Sequence, residues 1–411
     1  MIYFKRLLIA CIFVLVPISL LSQGGSNYSL FGIGDINLTS SAAYCGLAGT
    51  SIAFPMEHVV NSVNPAILSK SISTRLQSGY KFSQHLIEDS KSNVLYQNNG
   101  NVSGLSSIFV IDTSFGLTFS FGFNPFSKVN YLIRVPILVD YEGIKVEGNS
   151  IYKGQGGLSL GYLGTSVNVL SNLSIGVQAL ATFGVINNSI ETYFYDDNFF
   201  YSVNRMDNRF KGFGYRFGLL YESIEHLFVG AYLEKHNNIE YEKELIYQAE
   251  LSQDTSFKDV FDLSLPDNFG FGFSYLTGNF RIGSDYRNYR LKEMNFNEGP
   301  ITEFRDMNVF TLGVSRLGSK KINADYFDKI TYNFGIGYKQ LYYRINKVDI
   351  EEIFFSFGMN FPLKNTAFID ASLTFGARGK ADGILVKEYF GKLNIDISIG
   401  ETWFKPYKRE Y

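Results

Sequence analysis

The chain has 411 residues and carries 37 Lys and Arg against 39 Asp and Glu, a near-neutral balance that excludes a nucleic-acid binder held by phosphate attraction. Its two cysteines, Cys11 and Cys45, are too few for a disulfide framework or a zinc cluster. Aromatic residues make up 16%, with 28 Tyr, 38 Phe and 39 Gly but only 9 Pro, a mixture unusual in a soluble enzyme and suited to long strands ending in aromatic girdles.

Lys5 and Arg6 precede an apolar run from Leu7 to Leu21, and Ser22-Gln23 opens a polar stretch, so residues 1–22 read as a secretory signal cleaved after Ser22. The run is shorter than the roughly 20 residues a membrane helix needs, and it contains Pro17. Leu8-Ile9-Ala10-Cys11 has the outline of a lipidation box, but the apolar run continues well past the cysteine. Residues 23–72 are small and turn-rich without sustained alternation; Leu30, Phe31, Ile33, Leu47, Ile52 and Phe54 nevertheless argue for burial. This segment is expected to fold back into a lumen as a plug.

From residue 73 to 400 the dominant signal has period two. Phe115, Leu117, Phe119, Phe121 and Phe123 alternate with Gly116, Thr118, Ser120 and Gly122, and the beat returns in Phe269, Phe271, Phe273, Tyr275 and in Ile395, Ile397, Ile399. A soluble sandwich alternates too, but its polar face would be rich in charge; here the partner positions are mostly Gly, Ser, Thr and Asn, as between lipid and lumen. The expected fold is all-β, a transmembrane antiparallel β-barrel. Short turns fall near Asp112-Thr113, Leu170 to Asn172, Ser223 to Glu225, Thr277-Gly278 and Pro362 to Asn365, with a longer one from Gly318 to Phe327. Long polar connections are expected at 84–101, 140–150, 188–208, 236–262, 291–302, 343–350 and 378–386. Together these give about fourteen strands, an even number only if Ser114 to Val139 is one strand interrupted at Asn124-Pro125, where proline removes a ladder hydrogen bond.

Several motifs resemble the long-chain fatty acid transporter (FadL/TodX, OmpP1-like) family of outer-membrane proteins, in its Bacteroidetes form. They are Gly46-Leu47-Ala48-Gly49-Thr50 with Asn64-Pro65-Ala66, Leu265-Pro266-Asp267-Asn268-Phe269-Gly270-Phe271-Gly272, Asp306 leading into Leu312-Gly313, and Phe375-Gly376-Ala377-Arg378-Gly379 through Lys387-Glu388-Tyr389-Phe390 to Trp403-Phe404. The resemblance implies a fourteen-stranded monomer, a hatch containing Asn64, Pro65 and Ala66, and a kinked third strand that opens the wall sideways. Asn124 and Pro125 are the candidate lateral-gate kink. The connecting loops show little likeness, so a ligand groove is not carried over.

The implied function is passive movement of hydrophobic compounds such as long-chain fatty acids across the outer membrane of a Gram-negative cell, captured at roughly 0.8 kcal/mol per buried methylene and released laterally. The rival is a non-transporting FadL-like barrel serving type IX secretion or another outer-membrane assembly, with a protein partner in the envelope. Replacing Pro125 with Thr is expected to slow uptake under the first reading. No cofactor is expected, and His58, His85, His226 and His236 are too scattered for a metal site. No Ser, His and acid set suggests an enzyme, and Glu225-His226 falls in a tight turn. Among clustered charges, Arg287 and Arg290 are candidate headgroup contacts, and strand-end charges otherwise face lipopolysaccharide or water. Trp403 and Phe404 close the last strand as an interface anchor and the signal for the barrel-insertion machinery; Pro406 then stops the strand, and residues 401–411 form a periplasmic tail.

Overall fold

The computed structural model describes residues 24–401, apart from 197–200, 225, 238, 250–253, 264, 266, 295, 297–298, 300, 322 and 364–365. The signal segment 1–22, Trp403, Phe404 and the tail beyond Glu401 therefore lie outside the described residues.

The alternating segments form a closed antiparallel barrel of fourteen strands. They are β1 (Thr74–Glu88), β2 (Val94–Asp112), β3 in two arms (Leu117–Pro125 and Ser127–Tyr141), β4 (Ile144–Leu170), β5 (Leu173–Phe194) and β6 (Ser202–Ile224). Next come β7 (Leu227–His236 and Ile239–Ala249), β8 (Thr255–Leu263 and Asn268–Thr277), β9 (Phe280–Tyr289) and β10 (Thr302–Phe304 and Met307–Arg316). The last four are β11 (Thr331–Ile345), β12 (Val348–Pro362), β13 (Phe368–Gly379) and β14 (Lys387–Glu401). Each strand pairs with its sequence neighbour, and β14 pairs with β1 from Glu401 opposite Thr74 to Lys387 opposite Glu88, which closes the ring.

The barrel is inside-out relative to a soluble fold. On β3, Phe119, Phe121 and Phe123 are exposed while Thr118 and Ser120 are fully buried; on β8, Phe271, Phe273 and Tyr275 face out and Ser274 faces in. Greasy side chains meet acyl chains, and small polar ones meet the packed interior.

Most of the long connections are shorter than expected, while those near 291–302 and 378–386 stand. β1 and β2 stay paired to Glu88 opposite Val94, and the outer arms of β7 and β8 pair from Ile239 opposite Leu263 to Tyr247 opposite Thr255. Residues 84–101, 188–208 and 236–262 are thus largely hairpin rather than loop. With 27 residues at about 3.3 Å each, β4 runs for about 90 Å, far more than a membrane crossing requires. β4 to β8 therefore carry a twisted sheet out beyond the bilayer. Both faces of that sheet are wet, so its residues lack the apolar beat that marks a strand.

Candidate functional site

Residues 24–73 pack against inward-facing residues of strands around the barrel. A single helical turn (Ala42–Cys45) and two 3-10 turns (Asn27–Leu30 and Pro65–Lys70) are their only regular structure besides the two-residue strand Asp35–Ile36. The approach is close because glycines face inward beneath them. A Cβ on Gly335 would lie 2.3 Å from the backbone carbon of Leu47, and one on Gly218 would lie 2.1 Å from Asn64 Oδ1. Asn64, Pro65 and Ala66 start the second 3-10 turn: the Asn64 side chain accepts from the Ala66 N–H at 3.1 Å and donates to the Ile52 and Leu219 carbonyls at 2.7 and 3.1 Å. The motif therefore joins the segment to itself and to the wall.

Buried charges fix the same segment. Arg378 on β13 holds Asp35 through two hydrogen bonds of 2.7 and 2.9 Å and Glu388 through a third of 2.9 Å. Glu388 in turn accepts from the Ser26 hydroxyl at 2.8 Å and the Asn27 N–H at 2.7 Å. Asp285 accepts from the Ser51 and Ile52 N–H groups at 2.7 and 2.9 Å, and Asp396 accepts from the Ala42 N–H at 2.6 Å. A further cluster joins Arg216, Glu234, His236 and Asn268, with Arg216 also donating to the Ser62 carbonyl. Burial alone would raise the Asp35 carboxyl, but the Arg378 guanidinium beside it holds it below the usual carboxylate range.

Arg287, one of the two candidate headgroup contacts, is fully buried and donates to the Leu38 and Gly49 carbonyls, the Ser51 hydroxyl and Asp285. Its charge grips the N-terminal segment. Arg290 lies beyond the end of β9, exposed, with its guanidinium over the Phe269 ring. The structure does not bring the two arginines together. Most of the luminal charges escaped the sequence reading, although Asp396 between Ile395 and Ile397 carried a usable signal: a carboxylate on the polar beat of a membrane-height strand demands a partner.

Asn124 and Pro125 sit where the wall breaks. The lower arm of β3 pairs with β2 only as far as Phe123 opposite Leu105, while both arms pair with β4. Above that point the β2-facing edge of β3 pairs instead with Asp35 and Ile36 of the N-terminal segment, opposite Lys128 and Ser127. Asn124 Oδ1 accepts from the Ser106 hydroxyl at 3.2 Å, the Pro125 carbonyl accepts from Asn37, and the ladder resumes with the Phe126 N–H donating to Leu158. Across the break, side chains stand in for the missing backbone bonds. Lys128 Nζ donates to the side-chain oxygens of Asn99 and Asn101, and Gln97 donates to the Leu132 carbonyl at 2.8 Å.

Cavities lie inside the break. The larger, about 750 Å³, is an outer vestibule lined by Asn99, Asn130, Gln155, Asn187 and Asn188 among others. Two smaller ones, of about 60 and 70 Å³, lie against Asn124 and Pro125 and against Lys128.

The family model described as BamG matches residues 1–410. The chain belongs to the BamG family. No curated protein matches it. Among solved structures, the CymD monoaromatic hydrocarbon channel is 14% identical, covering 90% of this chain and 99% of its own, with a TM-score of 0.59. A Pseudomonas aeruginosa FadL homologue is 11% identical over 89% of this chain and 99% of its own, with a TM-score of 0.61. The P. putida toluene transporter TodX is 14% identical over 89% and 99%, with a TM-score of 0.58. This BamG-family chain therefore has the fold of FadL-like outer-membrane barrels.

Proposed function

We propose that the chain is a closed barrel subunit of an outer-membrane assembly or secretion complex, its interior shut by residues 23–72 and its outer sheet presented to a protein partner. The observation that carries this reading is the polar lining of the outer vestibule. A conduit for greasy molecules gains its affinity from apolar lining, whereas the vestibule of about 750 Å³ is lined largely by Asn, Gln and charged side chains. The N-terminal segment is tied to the wall by buried ion pairs, each expensive to break. The outer arms of β7 and β8 add exposed aromatic residues on one face, Tyr247, Phe257 and Phe261, residue types that suit a protein interface.

A second reading, passive passage of hydrophobic compounds with lateral release at β3, draws support from the broken pairing at Asn124-Pro125 and from the shared fold. Trp403 and Phe404 serve the barrel-insertion machinery under either reading, with lipid and lipopolysaccharide around the barrel. The test is isolation of the tagged chain from native outer membranes in mild detergent. Envelope proteins retained at fixed stoichiometry support the subunit; a lone barrel carrying fatty acid overturns it in favour of the channel.

A further inference from the structure

The outer arm of β8, Thr255–Leu263, is paired on one side and open on the other. It runs against the outer arm of β7 from Thr255 opposite Tyr247 to Leu263 opposite Ile239, without a bulge. β9 ends at Tyr289, opposite Asn268, and so stops short of this arm; the far side of residues 256–262 meets no strand among the described residues. Thr255 through Asp262 are all exposed. An uncovered row of backbone N–H and C=O groups is a template for another strand, and proteins blunt such edges with proline, bulges or charge. The other open edge of the same outer sheet, the upper arm of β3, is blunted: it carries Pro136, and Gln97 donates to its Leu132 carbonyl. The β8 edge has neither proline nor bulge. Its one cation, Lys258, is turned back on its own hairpin, 3.7 and 3.5 Å from Glu242 and Glu244.

The side chains of this edge define what it accepts. Phe257, Asp259 and Phe261 share one face, and Lys258, Val260 and Asp262 share the other. The charge is unevenly answered. Arg209 and Lys211 of β6 pair with Glu240, Glu242 and Glu244, whereas Asp262 stands opposite Glu240 with no cation within ion-pair distance among the described residues. Asp259 faces Lys243 across the hairpin, and Asp254 extends the acidic side. An added strand therefore gains from apolar side chains beside Phe257, Val260 and Phe261 and from a basic one beside Asp262. A second copy of the chain cannot supply it. Pairing this edge antiparallel with itself needs a two-fold axis perpendicular to the sheet, which would invert the second barrel, while a two-fold along the membrane normal leaves the strand pointing outward in both copies.

We infer that residues 256–262 receive an extended basic segment of a different polypeptide, which adds a strand antiparallel to the outer arm of β8. This assignment rests on the subunit reading proposed for the chain and names where its partner attaches.

The test uses the full-length protein in a neutral maltoside detergent and a fluorescent synthetic peptide, Val-Lys-Ile-Val-Arg-Thr-Tyr-Thr-Val, which in antiparallel register sets its Lys opposite Asp262 and its Arg opposite Asp259. It should bind one to one. Of two copies N-methylated at odd or at even positions, one should lose about tenfold and the other bind normally, because alternate amides face the edge. Charge reversal by Asp259→Lys/Asp262→Lys should weaken binding about tenfold. Should that variant fail to give the heat-shifted gel band of a folded barrel, the peptide with Glu in place of its Lys and Arg carries the comparison. No binding, equal binding of the two methylated copies, or indifference to charge overturns the assignment. Amide exchange of residues 256–262 separates it from the subunit reading. Slower exchange in the complex isolated from native outer membranes than in the isolated barrel supports both. A retained partner with unchanged exchange overturns the edge and spares the subunit, and peptide binding with no retained protein supports the edge and overturns the subunit. A dimer of the chain that charge reversal dissociates would place a second copy on the edge and overturn the choice of partner.

Discussion

At the scale of single residues, the N-terminal segment is held by two devices with different chemistry, close backbone approach over glycine and buried charge. Gly335 leaves no room for a side chain beneath Leu47 and Ala48, so Gly335→Ala should push the Gly46–Thr50 turn off the wall at a cost of about 1–3 kcal/mol. A lower temperature for loss of the folded gel band, with earlier proteolysis near Leu47, would show it. The Asp35 contact to Arg378 depends on pH. Because the folded carboxyl sits below its ordinary value of 3.8, its contribution is complete above about pH 4 and is lost as pH falls through the folded value. Cleavage within residues 24–40 should therefore become easier only in acid, and Asp35→Asn should loosen the segment already at neutral pH. Equal protection of wild type and Asp35→Asn at pH 7 would refute this role. None of these pairings was legible in the sequence: Asp35 and Arg378 are 343 positions apart, and the same blindness made Arg287 a headgroup candidate when its donors turn inward.

Among the elements, legibility follows the solvent. Strands between lipid and lumen announce themselves because apolar and small residues must alternate, and the interrupted third strand followed from the even strand count together with Pro125. The break lies where that count placed it, with both arms of β3 on β4 and only the lower arm on β2. The outer arms were hidden because water meets both of their faces, so a paired hairpin such as Glu240–Lys243 opposite Asp259–Asp262 reads as a polar loop. Their exposed aromatic residues are surplus to barrel closure. Replacing residues 241–261 with a short Gly-Ser linker should leave the folded, heat-shifted band intact while abolishing retention of a protein partner; full retention would remove these arms from the proposed interface.

For the molecule as a whole, closure of the β1–β14 seam and the inside-out distribution of side chains explain the barrel, and buried ion pairs tether the N-terminal segment to its inner wall. The wall break is bridged by Lys128, Asn99, Asn101 and Gln97. The most direct test is oleate movement into proteoliposomes followed by an internal pH dye. The closed-subunit account predicts influx no faster than in protein-free liposomes. Saturable, protein-dependent influx, abolished when Gln97→Cys and Leu132→Cys are bridged across the gap with a short bis-maleimide, would contradict it.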